Sequence, residues 1–336
     1  MEKRSFTDNF LNSYFRVLFV LASFVSVFIA VIIYINSINR SEVVFKREML
    51  NRQVVSVRSA AKVIEEFFKA QEQKIAFIAS IPEIKNPDDP NIANILTDAQ
   101  KSLPIPISDI VRFDANGDSV ARGSGITQVD NVSDREYFLW AKDPKNKGSI
   151  FYSNPLIARG GSEKGKLAMA IVTPVYSGNK FTGVLLMTVS FDNFGQLFIT
   201  DLKITNGSRS FVVNLQDGSF IFPAINSWKD SADFSKNLSS MAKEQEGVGI
   251  FLNNLIAYHI ISLGDGSQFW SLVMVISENE TLSLFKSVNL NFINFLILVI
   301  VIILTLLAIL ILAIRFGQRN SYLRGFVDGQ NYRKAK

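Results

Sequence analysis

Residues 170–191 read AIVTPVYSGNKFTGVLLMTVSF, and residues 257–279 read AYHIISLGDGSQFWSLVMVISEN. Each is an apolar strand, a glycine-containing turn and a second apolar strand, which predicts a hairpin of an antiparallel sheet. A second pair lies upstream of these. VRFDANGDSVARG at 111–123 and FVVNLQDGSFIFP at 211–223 both give a short strand, an Asn/Asp-Gly turn and a returning strand. The same order of two hairpins thus occurs twice, with different insertions inside it. A unit that recurs in this way reads as two tandem α+β modules.

Ahead of the first module the periodicity changes. Val43, Val44, Met49, Leu50, Val54, Val55, Ala60, Ala61, Ile64, Phe67 and Phe68 recur at three- and four-residue intervals with charges between them, the pattern of an amphipathic helix. Pro82 ends it. A helix over 40–81 would reach about 60 Å, longer than one small module needs, so a stalk that packs along both modules and against a second copy is expected; two shorter helices within one globule are the alternative. Between the modules, SFDNFGQLFITDLKITNGS (190–208) reads as a short helix and loop.

Two stretches are longer and more apolar than a soluble core requires. Residues 17–35 (VLFVLASFVSVFIAVIIYI) and 292–314 (FINFLILVIVIILTLLAILILAI) carry no charge, and each is long enough for the roughly 30 Å of a bilayer core. Lys3, Arg4 and Arg16 precede the first, and Arg315, Arg319, Arg324, Arg333, Lys334 and Lys336 follow the second. Basic flanks at both ends predict cytoplasmic termini in a bacterial inner membrane, with residues 37–290 outside.

The resulting division is a cytoplasmic N-terminus (1–16), a first span (17–36), a stalk (37–81), a membrane-distal module (82–200), a membrane-proximal module (201–290), a second span (291–314) and a short basic tail (315–336). It also explains the charge. The chain has 336 residues, 35 Lys and Arg against 30 Asp and Glu, and a net charge of +5. The two ends hold nine basic and three acidic residues, leaving the outer segment near neutral. The basic balance is therefore the mark of membrane topology, and no nucleic-acid partner is expected.

No Cys and a single His, His259, exclude thiol catalysis, Cys-ligated metals and a Ser-His-Asp triad. No cofactor, metal or enzymatic activity is expected. His259 alternates with Ala257 and Ile261 on a strand, a structural position. The GGSEKGK run at 160–166 fits a phosphate-loop spacing, but Leu167 stands where a Ser or Thr would hold magnesium, so a surface loop is expected. Asp114, Asn116 and Asp118 lack the distal Glu of a calcium loop and read as a hairpin turn.

The segment NVSDREYFLWAKD (131–143) is chemically richer. Ser133 and Glu136 form the spacing of a capping box, which predicts a helix starting near Asp134. Arg135 would lie in its first turn beside Tyr137, Phe138 and Trp140, an arrangement suited to a carboxylate or other small anion. Alternatively Arg135 pairs with Asp130 or Asp134, and Tyr137 and Phe138 are core.

The order of elements, with the D-x-N-G turn at Asp114, the S-D-R-x-Y-F segment at 133–138, T-P-V at 173–175, Gly183-Val184 and Asp217-Gly218, resembles the double Cache (dCache) extracytoplasmic sensor domains of bacterial chemoreceptors and sensor kinases. The resemblance implies PAS-like modules and a small-molecule pocket in the distal module, with Arg135, Tyr137 and Phe138 lining it and Arg122, Tyr152 and Arg159 as further candidates. Family members that bind amino acids carry carboxylates for the ammonium group where this chain has Leu156, Ala158 and Thr188. A carboxylate, another anion or a largely apolar metabolite is therefore the expected ligand. Only sixteen residues precede the first span and 22 follow the second, too few for a kinase, a cyclase or a methyl-accepting hairpin. A homodimer that signals to a separate cytoplasmic or membrane partner is expected; a non-enzymatic scaffold that uses the same fold to hold outer partners is the alternative.

Overall fold

The computed structural model describes the backbone of residues 3–126, 130–222, 243–251, 253–264 and 268–287 and of scattered positions up to 315; of the first 39 side chains it describes those of Phe28 and Ile32. Helix α1 (Lys3–Ser80) is continuous, so the two-helix alternative for the stalk is excluded. It stops where Pro82 opens the short helix α2 (Pro82–Lys85), and Ile81 between them is extended. Helix α3 (Ile92–Lys101) then leads into the first sheet.

That sheet contains β1 (Ile107–Phe113), β2 (Ser119–Arg122), β3 (Phe151–Tyr152), β4 (Leu156–Ile157), β5 (Leu167–Ser177) and β6 (Lys180–Ser190), in the order β2-β1-β6-β5-β3 with β4 also on β5. Helix α4 (Glu136–Lys142) packs on one face. Helix α5 (Phe191–Phe198) follows, its Ser190 cap accepting a bond from the Asn193 N–H. The second sheet contains β7 (Arg209–Asn214), β8 (Phe220–Phe222), β9 (Glu246–Phe251), β10 (Asn254–Leu263) and β11 (Gln268–Ser277), in the order β8-β7-β11-β10-β9. The first strand of each early hairpin thus pairs with the last strand of the later one, β1 with β6 and β7 with β11. Two antiparallel sheets of matching topology on one long helix give the α+β architecture that the repeats predict.

Strand alternation decides what each face meets. In the distal sheet Met169, Ile171, Leu185, Met187 and Val189 turn toward α1 and join Val57, Ala61, Ile64, Phe68 and Ile75 in the main core. Their neighbours Ala170, Val172, Val184 and Leu186 turn the other way and pack with Tyr137 and Phe138 of α4. In the proximal sheet Ala257, Ile261, Leu272 and Met274 join the same main core, while Phe211, Val213, Ile256, Tyr258 and Val273 form a separate cluster on the far face. Gly183 of β6 has φ +125°, and a Cβ there would lie 2.0 Å from the Phe113 carbonyl oxygen, so this crossing of β1 and β6 requires glycine.

Polar bonds fix the register of α1 on the proximal module. Lys46 reaches Glu278, Gln53 donates to the Leu255 carbonyl at 3.4 Å, and Arg58 forms a bidentate pair with Glu246. Glu246 also accepts from the His259 Nδ1 position at 3.2 Å, so the single histidine is buried as part of the helix-to-sheet joint. Among the described residues no helix is long and apolar enough to cross a membrane. Apart from Phe28 and Ile32, the side chains of the expected first span (17–36) lie outside the described residues, as do most of the second (291–314) and the basic tail beyond Arg315.

Candidate functional site

The sheet face turned away from α1 carries a small cavity of about 40 Å³. Its floor is built from β1 (Val111, Phe113), β5 (Ala168, Ala170), β6 (Leu186, Thr188) and β4 (Leu156). Its walls are Arg135 and Tyr137 at the start of α4, with Arg122, Asp130, Ala158, Arg159 and Gly160. Four of the sequence candidates, Arg122, Arg135, Tyr137 and Arg159, therefore meet around one space.

The local route to that space differs from the expected one. Helix α4 begins at Glu136 with Arg135 as an uncapped N-cap residue. Ser133 instead donates from Oγ to Asn131 Oδ1 at 2.6 Å, and its N–H goes to the same oxygen at 2.9 Å. The Asn side chain, two residues before Ser133, closes a turn and takes the serine that the capping box required. Arg135 is half-buried, and its Nη2 donates to the Ile157 carbonyl at 2.9 Å. Of the five N–H groups of a guanidinium, this bond uses one.

Tyr137 is buried, which pushes its hydroxyl up to about 12 against the opposing pull of Arg135. It stays a protonated donor at any physiological pH. Arg159 forms a bidentate pair with Asp134, Nη2 to Oδ2 at 2.6 Å. Its hydrogen bonds hold the Asp134 carboxyl at about 2. Asp134 is thus the partner of Arg159, and Arg135 is left facing the cavity.

Two expected residues face elsewhere. Phe138 is fully buried against Phe181, ring centroids 6.0 Å apart, and is core. Tyr152 pairs in register with Ile171, so it shares the α1 face of the sheet. There its hydroxyl donates to Glu72 Oε1 at 2.8 Å, and burial together with that carboxylate raises its pKa far above the ordinary tyrosine range. Neither residue is among those that line the cavity.

Arg122 is buried with both of its carboxylate partners. Nη1 donates to Asp109 Oδ2 at 3.0 Å and Nη2 to Asp130 Oδ2. Neither aspartate was singled out as a site residue from sequence, although Asp109 inside the apolar strand ISDIVRF was a signal, since a buried carboxylate demands a partner. The loop 158–166 closes over this pair, with Gly165 N–H bonded to the Ala158 carbonyl at 2.9 Å. Leu156, Ala158 and Thr188 do line the cavity, so no carboxylate stands at those three positions.

The fold recurs in solved structures. An extracellular ligand binding receptor from Desulfohalobium retbaense superposes with a TM-score of 0.55 at 17% identity over 67% of this chain; the chain spans 40% of that receptor's length. The ligand-binding domain of the Campylobacter jejuni chemoreceptor Tlp3, in complex with 4-methylisoleucine, gives a TM-score of 0.51 at 13% identity, covering 70% of this chain and 94% of that one. The corresponding domain of the Pseudomonas fluorescens chemoreceptor CtaA, in complex with L-serine, gives 0.50 at 14% identity over 69% and 99%. No curated protein is similar enough to this chain to count as a relative. The sequence profile of the Cache domain, in its double form, matches residues 42–285, which spans the stalk and both sheets. The chain belongs to the Cache domain family.

Proposed function

We propose that the chain is a membrane-anchored extracytoplasmic sensor that binds a small molecule in the distal module and signals through the stalk. The cavity under α4 carries this reading: Arg135 and Tyr137 line a small space on the sheet face opposite the stalk. Arg135 meets the carboxylate or other anionic group of the ligand. The organic ligands named for the two chemoreceptor domains support a ligand of metabolite size.

Relay follows from packing. α1 shares one core with both sheets, so a shift of the distal sheet is felt along the helix. Such a shift needs a ligand that binds one arrangement more tightly than the other, since equal binding moves nothing. The apolar segments at 17–36 and 291–314 hold the protein in a bacterial cytoplasmic membrane, and a separate partner reads the movement. Two copies associate along the exposed side of α1.

One observation favours the scaffold reading: about 40 Å³ holds little more than a water. Thermal unfolding of the full chain in detergent micelles, screened against organic acids, amino acids and amines, separates the two. The sensor reading expects stabilisation by at least one class, lost in Arg135→Ala. No stabilisation by any class leaves the scaffold; equal stabilisation of the variant removes Arg135 from the site.

A further inference from the structure

Residues 152–158, YSNPLIA, run from the end of β3 through β4 and touch three parts of the molecule. At one end Leu156 and Ala158 line the distal cavity, and the Ile157 carbonyl between them accepts the Arg135 Nη2 bond at 2.9 Å. In the middle Ser153 is hooked to Ala170 of the cavity floor by two bonds. Its N–H donates to the Ala170 carbonyl at 2.9 Å, and its Oγ accepts from the Ala170 N–H at 2.8 Å.

At the other end the contacts leave the cavity. Tyr152 donates to Glu72 of the stalk at 2.8 Å, and its ring stands 5.6 Å from that of Phe68. A Cβ on Gly264, just past β10 of the proximal sheet, would lie 3.2 Å from the Tyr152 ring, so the two are packed together. Asn154 Oδ1 accepts from Asn214 Nδ2 at 3.4 Å, and Asn214 pairs in register with Trp270 of the proximal sheet. Pro155 has a fixed φ and disfavours a helical turn at Asn154, so the segment does not shorten by coiling and passes a displacement along its length.

We infer that residues 152–158 carry the state of the distal cavity to the stalk and the proximal sheet. A charge-assisted bond to an anionic ligand is stronger than one to a neutral carbonyl, so a bound carboxylate draws the Arg135 guanidinium from Ile157. The freed Ile157 carbonyl and the Ser153 hook then shift Tyr152 against Glu72 and Asn154 against Asn214. This rests on the reading of the cavity as the ligand site, and it assigns the regulation of that site to one segment instead of to the shared core at large.

The test is a double-mutant cycle read by denaturant unfolding of the full chain in detergent micelles, which needs no ligand. Tyr152→Phe removes the hydroxyl that meets Glu72, and Arg135→Ala removes the guanidinium that holds Ile157. The two side chains lie on opposite faces of the distal sheet, so independent effects on the unfolding constant would multiply. The double variant is expected to depart from that product by about threefold or more, and Glu72→Ala should reproduce the departure from the stalk side. Lys74, whose Nζ reaches the Ser102 carbonyl at 3.3 Å, is a stalk contact outside the segment; Lys74→Ala with Arg135→Ala should simply multiply. Multiplication in every pair, or equal departure in every pair, overturns the assignment.

Acetate, a minimal carboxylate, separates this inference from the reading beneath it. Coupling is reciprocal, so Tyr152→Phe is expected to change the acetate dissociation constant, measured by thermal-shift titration, about threefold. Acetate that binds the wild type and Tyr152→Phe equally, and is lost in Arg135→Ala, overturns the relay and leaves the site standing. No acetate binding to the wild type overturns the carboxylate reading of Arg135, while the cycle still decides the relay.

Discussion

The Phe68 ring of the stalk meets the Trp270 indole of the proximal sheet edge to face, with ring centroids 6.0 Å apart. The same ring meets Tyr152 of the distal sheet at 5.6 Å and Phe194 of α5 at 5.7 Å. One fully buried side chain of α1 therefore touches both modules and the helix that joins them.

Phe68→Ala empties the centre of that cluster. The expected loss is about 3–5 kcal/mol for a buried aromatic truncated to alanine, and denaturant unfolding measures it. Hydrogen exchange should show lowered protection in both β5 and β11; a loss confined to one sheet would mean that the modules are not coupled through Phe68.

Arg122 pairs with two carboxylates that are themselves buried. Arg122→Met leaves both without a counter-charge, and a destabilisation of about 3–5 kcal/mol is expected. Adding Asp109→Asn should recover part of it, because one of the two uncompensated charges is then gone. If the double variant is no more stable than the single, the cost lies in packing and the electrostatic account fails.

The Arg159 pair holds the Asp134 carboxyl at about 2, below its ordinary 3.8. The folded value lies below the unfolded one, so the contribution of the pair is present above pH 3.8 and disappears as the pH falls toward 2. Carboxyl NMR titration of Asp134 should give a midpoint near 2 in the wild type and a return toward 3.8 in Arg159→Ala. An unmoved midpoint would show that the hydrogen bonds do not form in solution. Both side chains are largely exposed, so the effect on stability is small.

Val44, Val55 and Val63 stand exposed along one side of α1, beside an open groove of about 790 Å³ bordered by Leu197 and Phe198. If two copies associate there, Val55→Cys should cross-link into a covalent dimer on mild oxidation, in a chain that otherwise contains no cysteine. Lys101→Cys on the exposed side of α3 is the control, and it should cross-link far less. Equal cross-linking of both would point to random collision in the micelle.

Periodicity and turn chemistry carried most of the fold. The two hairpin pairs, the helix that runs up to Pro82 and the bridging helix after Ser190 are each local signals, and strand alternation then assigned apolar residues to opposite faces. The segment around Arg135 was legible for the same reason, since Arg135 and Tyr137 are close in sequence as well as in space.

Tertiary structure alone decided the rest. Tyr152 looked like a pocket residue until its pairing with Ile171 put it on the stalk face, and register is a relation between strands that no single segment contains. The Ser133 cap was lost to Asn131 because both turns were available locally and the closed one was selected by the fold. Asp130 and Asp109 meet on Arg122 although they lie far apart in sequence. Patterns of burial are written along the chain; which buried charges end up sharing one partner depends on where the chain returns.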